Sequence, residues 1–300
     1  MAKTELFARH KPGGVFTILN EMTYGGERFW VDYTNGTDGA SRGKNPDTPL
    51  KTLDYAIGLC TANADDVIIL KSGHAENIVA AGSVTVDVAG VTIIGQGAGN
   101  KRPTFTFTTE TTATFIISAA NVTIKNLRFI CDKDALAVGL PITGAYCTIE
   151  DCEFSDLGED NCIDWITLSA AADNARIINC RNYGTATAGN DSFISMAAAS
   201  NVEIIGLVSQ GDFAAANIEC TAAPVDLLVA DCYLENANAV DVNIEGFAAA
   251  TGWIARNCCR VATDGEVTWV NTGGAMSLFE NYGVNADGET GMIVGTASTT

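Results

Sequence analysis

The strongest constraint on this chain is a repeat. Seven short segments follow one another: Val122–Phe129, Cys147–Phe154, Ala175–Cys180, Val202–Leu207, Leu227–Cys232, Trp253–Cys258 and Met276–Asn281. Their first residues are 25, 28, 27, 25, 26 and 23 positions apart. One strand pattern per period of that length specifies a solenoid, in which each copy buries its apolar face on the next.

Within each copy the side chains alternate as a half-buried strand requires. One column holds Ile124, Ile149, Ile177, Ile204, Val229, Ala255 and Leu278. Two residues on stand Asn126, Asp151, Asn179, Gly206, Asp231, Asn257 and Glu280, a polar corner suited to left-handed backbone. The next position returns inward with Leu127, Cys152, Cys180, Leu207, Cys232, Cys258 and Asn281. A second run precedes the copies: Trp165–Leu168, Phe193–Met196, Asn217–Cys220, Val242–Glu245 and Val267–Val270. The expected fold is all-β: a single-stranded parallel β-helix of about eight to ten rungs, with like residues stacked ~4.8 Å apart.

The period makes 300 residues one elongated unit. Of ten cysteines, Cys152, Cys180, Cys232 and Cys258 fall in one inward column and read as a stack of reduced core residues. Stacked parallel side chains have poor geometry for disulfides, and no Cys-x-x-Cys pair supports zinc. Met1–His10 has no apolar leader, and no apolar run reaches the ~18 residues of a membrane span. The expectation is synthesis in the cytoplasm without a membrane partner. The net charge is −19, and residues 134–300 hold 23 acids against four bases, Arg176, Arg181, Arg256 and Arg260. Such a surface repels nucleic acid and anionic lipid.

Residues 1–28 stand outside the repeat. Lys11-Pro12-Gly13-Gly14 and Tyr24-Gly25-Gly26 break any element around the short apolar run Val15–Leu19. An extended arm is expected here, the folded body being residues 29–300. The arm's partner-binding candidates are Phe7, Arg9, Lys11, Val15, Phe16, Ile18, Leu19 and Tyr24, packing either on the chain's own body or on a neighbour. In Gly43-Lys44-Asn45, Asn45 stands where a phosphate loop has Ser or Thr, and Asp38 where it has its first Gly, so that reading is rejected. A capping helix is expected near residues 48–62: Thr48 as N-cap, Pro49 in the first turn, and Leu50, Leu53, Ile57 and Cys60 on one face. It would cover the open first rung.

The stretches Asn45–Ile57, Asp65–Glu76 and Gly90–Gly97 resemble the N-terminal cap and first rungs of the pectin-lyase-like right-handed β-helix superfamily. The similarity spans roughly residues 29–295. It implies a right-handed solenoid, while the fold itself hosts lyases, hydrolases, adhesins and viral structural proteins. Arm plus cap resembles the β-helix proteins found among tailed-phage virion genes.

The superfamily's enzymes carry Gly-His-Gly and Arg-Ile-Lys signatures, or acidic clusters with a basic residue, and neither signature is here. His10 lies in the arm, and His74 reads as a turn substituent. Asp151, Glu153, Asp156, Glu159, Asp160 and Asp164 form the acidic run that could act as an acid/base pair, bind calcium or simply face water. Trp165, Trp253 and Trp269 could stack sugars, although Trp253 heads a strand and is expected to pack. No catalytic residue, resident metal or cofactor is assigned. The resemblance implies a non-enzymatic virion protein on the capsid exterior, a homotrimer bound through its arm to a major capsid protein or another virion component. The alternatives are a polysaccharide-cleaving lyase or tailspike, and an adhesin for surface glycans.

Overall fold

The computed structural model describes residues 25–184, 189–238, 242–262, 270–272 and 276–293. They form a right-handed parallel β-solenoid of about eight turns. Three sheets run its length, the first and second of ten strands and the third of eight among the described residues.

One turn shows the plan. Thr148–Glu150 lies in the first sheet, Glu153–Asp156 in the second and Cys162–Leu168 in the third. The next turn repeats it with Arg176–Ile178, Arg181–Tyr183 and Asn190–Met196. All inter-turn pairings are parallel, Ile149 meeting Ile124 behind it and Ile177 ahead. Two single-residue corners steer each turn. The corner entering the first sheet is left-handed at Asn121, Tyr146, Asn174, Asn201 and Asp226, and the corner leaving it at Asn126, Asp151, Asn179, Gly206, Asp231, Arg256 and Glu280. Asn, Asp and Gly dominate because they tolerate positive φ at least cost.

Period-2 alternation sends one face of each strand inside. Ile68, Ile93, Ile124, Ile149, Ile177, Ile204, Val229 and Ile254 make a continuous buried column on the first sheet. Phe105, Phe129 and Phe154 stack on the second, with centroids 5.9 and 5.1 Å apart. Stacking identical side chains at the strand spacing lets every rung fill the next one's surface, which is how an elongated body gains a core.

The structure corrects the repeat at one copy. Gly252, not Trp253, registers with Leu227 and Met276. Ile254 therefore takes the core column instead of Ala255, Arg256 takes the corner instead of Asn257, and Asn257 takes the interior place given to Cys258. Cys258 faces outward in register with Tyr233, while Cys259 is buried. The corner accepts an arginine because Arg256 donates twice to Asp231, both at 2.7 Å. Cys152, Cys180 and Cys232 hold the interior column as expected, and the described cysteines are free.

The helix is shorter than its sequence pattern. It spans Leu53–Ile57, and its N-cap is Thr52, whose hydroxyl accepts from the Tyr55 amide at 3.4 Å. Thr48 and Pro49 lie outside it because Leu50 is held in an isolated bridge to Val31: its amide donates to the Trp30 carbonyl and its carbonyl accepts from the Asp32 amide. Leu53, Ala56 and Ile57 close the first turn with fully buried side chains. Arg28, placed by sequence in the arm, opens the first strand Arg28–Val31 against Val67–Leu70. At the other end Asn281–Val284 pairs antiparallel with Thr290–Ile293, which blunts the second sheet's edge. No helix among the described residues is long and apolar enough to cross a membrane.

Candidate functional site

The third sheet gathers three half-buried carboxylates from three successive turns. Asp164 comes from Cys162–Leu168, Asp191 from Asn190–Met196 and Glu219 from Phe213–Cys220. One oxygen of each lies within 4.8 Å of the others. The Ser192 hydroxyl, fully buried, donates to Asp164 Oδ1 at 2.6 Å. Burial pushes the Asp164 carboxyl above its ordinary range, and the Asp191 charge adds to this while the Ser192 bond opposes it. Glu219 is raised in the same way, first by burial and then by Asp191, Asp164 and Glu245. Clustered carboxylates with few cations hold protons more tightly.

Such a set can do two things. Its oxygens suit a hard divalent cation, which would relieve the mutual repulsion. A raised carboxyl can also donate a proton. What the sheet does not supply is a base of positive or neutral type: its described strands contain no Lys, Arg or His.

Of the acidic run seen in sequence, only Asp164 joins this cluster. Asp151 is a corner residue paired with Lys125 at 3.4 Å. Glu153 lies between Arg102 and Arg128, at 3.4 and 3.3 Å. Asp156 accepts from the Asn190 amide at 2.9 Å. Glu159 lies in an exposed turn, and half-buried Asp160 follows it. A groove of about 510 Å³ runs along the corner column past Arg102, Asn126, Asp151, Glu153, Asn179 and Arg181, and its acids are these ion-paired ones. Asp191 and Glu219 escape a linear reading because the cluster forms across turns. Aligning the runs that precede the repeat copies places Asp164 and Asp191 close together but sets Glu219, in register with Ser195 and Thr167, three positions further along.

Trp165 is wholly buried, with Phe107 and Phe154 at 5.9 and 5.4 Å, so it cannot stack a sugar. Trp253, expected to pack, is instead 58% exposed. Trp269 lies outside the described residues, as do the arm candidates Phe7, Arg9, Lys11, Val15, Phe16, Ile18, Leu19 and Tyr24. His74 is no loose turn substituent. It is buried, its Nδ1 accepts from the Tyr33 amide at 3.1 Å, and its Nε2 meets Glu76 Oε2 at 3.1 Å. Glu76 in turn accepts from the Leu53 amide, so the pair pins the helix N-terminus to the first turns.

No protein-family model matches the chain, and no curated protein matches it in sequence. Two solved structures share its fold. Pectate lyase Pel9A aligns with a TM-score of 0.59 and 13% identity, covering 85% of this chain and 69% of that one. A rhamnogalacturonan lyase aligns with a TM-score of 0.60 and 14% identity, covering 88% and 75%. At that identity the likeness establishes the pectin-lyase-like β-helix fold and nothing about chemistry.

Proposed function

We propose that this chain is a non-enzymatic structural protein that decorates the exterior of a tailed-phage capsid, held by residues 1–24 with the solenoid displayed outward. The observation that carries the non-enzymatic half is the third sheet. Removing a proton α to a substrate carboxylate needs a base beside the sugar and positive charge on the acid. Asp164, Asp191 and Glu219 stand with no cationic side chain on the described strands around them, and they repel an anionic substrate. The anchoring half rests on the sequence of the arm, where Arg9 and Lys11 follow Phe7 and precede the apolar set Val15, Phe16, Ile18, Leu19 and Tyr24, ahead of an acidic body. Microscopy of purified particles of the encoding virus tests it. Solenoid density on the outer capsid surface is expected, and density confined to the tail, or none, would overturn the reading.

A second reading has its own support. The carboxylate triad and the fold shared with two polysaccharide lyases favour a cation-bridged glycan ligand on the third sheet. Titration with acidic oligosaccharides, with and without calcium, separates the two. Calcium-dependent binding abolished by Asp164→Asn with Glu219→Gln would establish the glycan reading. Calcium-independent or absent binding would remove it.

A further inference from the structure

We infer that the groove along the corner between the first and second sheets is a phosphate site, in which Arg102, Arg128 and Arg181 receive free phosphate or the phosphate group of a small monoester. It lies away from the carboxylate triad of the third sheet and rests on neither reading of the chain's function.

The arginines converge from three turns. Thr104, Arg128, Glu153 and Arg181 stand in register on successive strands of the second sheet. Arg102, two residues ahead of Thr104, reaches forward until its Nη1 is 3.4 Å from Glu153 Oε2. Arg128 Nε lies 3.3 Å from Glu153 Oε1. Arg181, one turn beyond Glu153, donates to Tyr183 Oη at 3.4 Å. A single glutamate thus faces three guanidinium groups. Arg102, Glu153 and Arg181 line the groove of about 510 Å³, while Arg128 holds Glu153 from the turn behind.

These arginines are under-satisfied. Elsewhere a paired arginine is tightly bonded: Arg256 meets Asp231 twice at 2.7 Å, and Arg176 meets Glu203 at 2.7 Å. Around Glu153 the contacts are 3.3 to 3.4 Å, beyond the ~2.7–2.9 Å of a formed charge-assisted bond. The Nε atoms of Arg102 and Arg128 are also shut off from solvent and make no hydrogen bond. Buried donors left in this condition are costly, and in a native fold they point to an acceptor supplied from outside the chain.

Charge selects an anion here. Four bases, Arg102, Lys125, Arg128 and Arg181, stand against three acids, Glu150, Asp151 and Glu153, in a chain of net charge −19. Lys125 holds Glu150 at 2.6 Å and Asp151 at 3.4 Å, so the positive excess falls on the three arginines. Glu153 already fills the carboxylate place between Arg102 and Arg128. Donors arriving from both sides of it suit a tetrahedral dianion, whose oxygens point in several directions, better than a second planar carboxylate. The corner backbone takes no part, because the amides of Asn126, Asp151, Asn179 and Gly206 all donate to carbonyls one turn ahead. The site also takes one phosphate and not a polymer of them. Past Arg181 the row continues as Val208 and Tyr233, and residues 134–300 hold 23 acids against four bases, which repels a long polyanion.

Calorimetric titration of the full chain in low-salt buffer tests this with inorganic phosphate, glycerol phosphate and galacturonate as probes. Inorganic phosphate should bind at one site per chain. Binding of glycerol phosphate as well identifies a site open to esters, and binding of inorganic phosphate alone identifies one closed around the free ion. Arg181→Gln changes an exposed side chain, so its melting temperature without phosphate should be unchanged, and its phosphate affinity should fall about tenfold or more. Glu153→Gln removes the competing carboxylate and should bind phosphate more tightly, with a larger rise in melting temperature on adding it than the wild type shows. A cluster that only braces the fold gives neither effect. A wild type that binds no phosphate, or that binds galacturonate as tightly, would overturn the inference. So would an Arg181→Gln variant of undiminished affinity, or a Glu153→Gln variant that binds phosphate no better than the wild type.

Discussion

Asn257 stands one turn beyond Cys232 in the same interior column, and its Nδ2 donates to the Val229 carbonyl and to Asn281 Oδ1, both at 3.0 Å. The thiols behind it do a weaker version of the same task. Cys152, Cys180 and Cys232 point at the carbonyls of Glu150, Ile178 and Ala230, at 3.4, 3.5 and 3.2 Å. The position after each corner thus favours a small donor that can reach a carbonyl left by the turn of the chain. Asn257→Ala should cost about 2 kcal/mol in urea unfolding, because it strands the Cys232 amide and the Val229 carbonyl. Cys258→Ser should stay within about 0.5 kcal/mol. The reverse order would restore the register first read from sequence.

The two described tryptophans at candidate positions should behave oppositely. Trp165→Ala removes a fully buried ring from the aromatic stack and should cost about 3–5 kcal/mol. Trp253→Ala should leave stability nearly unchanged, because its ring is 58% exposed. Thermal melts of the two variants check the contrast.

His74 is expected to matter for the first turns and not for chemistry. His74→Ala leaves the Tyr33 amide without its acceptor and Glu76 without its ring partner. The cost should be about 1–3 kcal/mol. Hydrogen exchange should accelerate at Tyr33 and Leu53 and remain slow in the last turns.

The triad gives stability a pH dependence of definite sign. Asp164 and Glu219 have folded-state pKa values raised above 3.8 and 4.5. Between those ordinary values and the raised ones the folded state holds more protons, so stability falls as pH rises through the window. Asp164→Asn with Glu219→Gln should therefore raise the unfolding midpoint at pH 7. That advantage should shrink as pH falls and be gone below the ordinary values. Unfolding curves at several pH values check this, and an advantage that persists at low pH would mean the substitutions act through packing.

Much of the architecture was legible because a solenoid writes its fold into a period: Ile124, Ile149, Ile177 and Ile204 stack as their spacing requires. The period failed at Trp253 for a physical reason. An exposed aromatic mimicked a core residue, and an arginine took a corner where Asn, Asp or Gly is the usual occupant. The helix was misjudged because the isolated bridge between Val31 and Leu50 outweighs the capping pattern of Thr48-Pro49. The triad was largely illegible, since Asp164, Asp191 and Glu219 are brought together by turn-to-turn stacking and by no local motif.

The most direct test of the central proposal is decoration by a truncated chain. Gly26 packs against the backbone of Ala64–Asp66, and the Glu27 amide donates to Asp66, so the cut belongs after residue 24. Heads lacking the protein should bind the full chain and fail to bind residues 25–300, while the truncated body keeps the full chain's melting temperature. Equal decoration by both would contradict the assignment of binding to the arm.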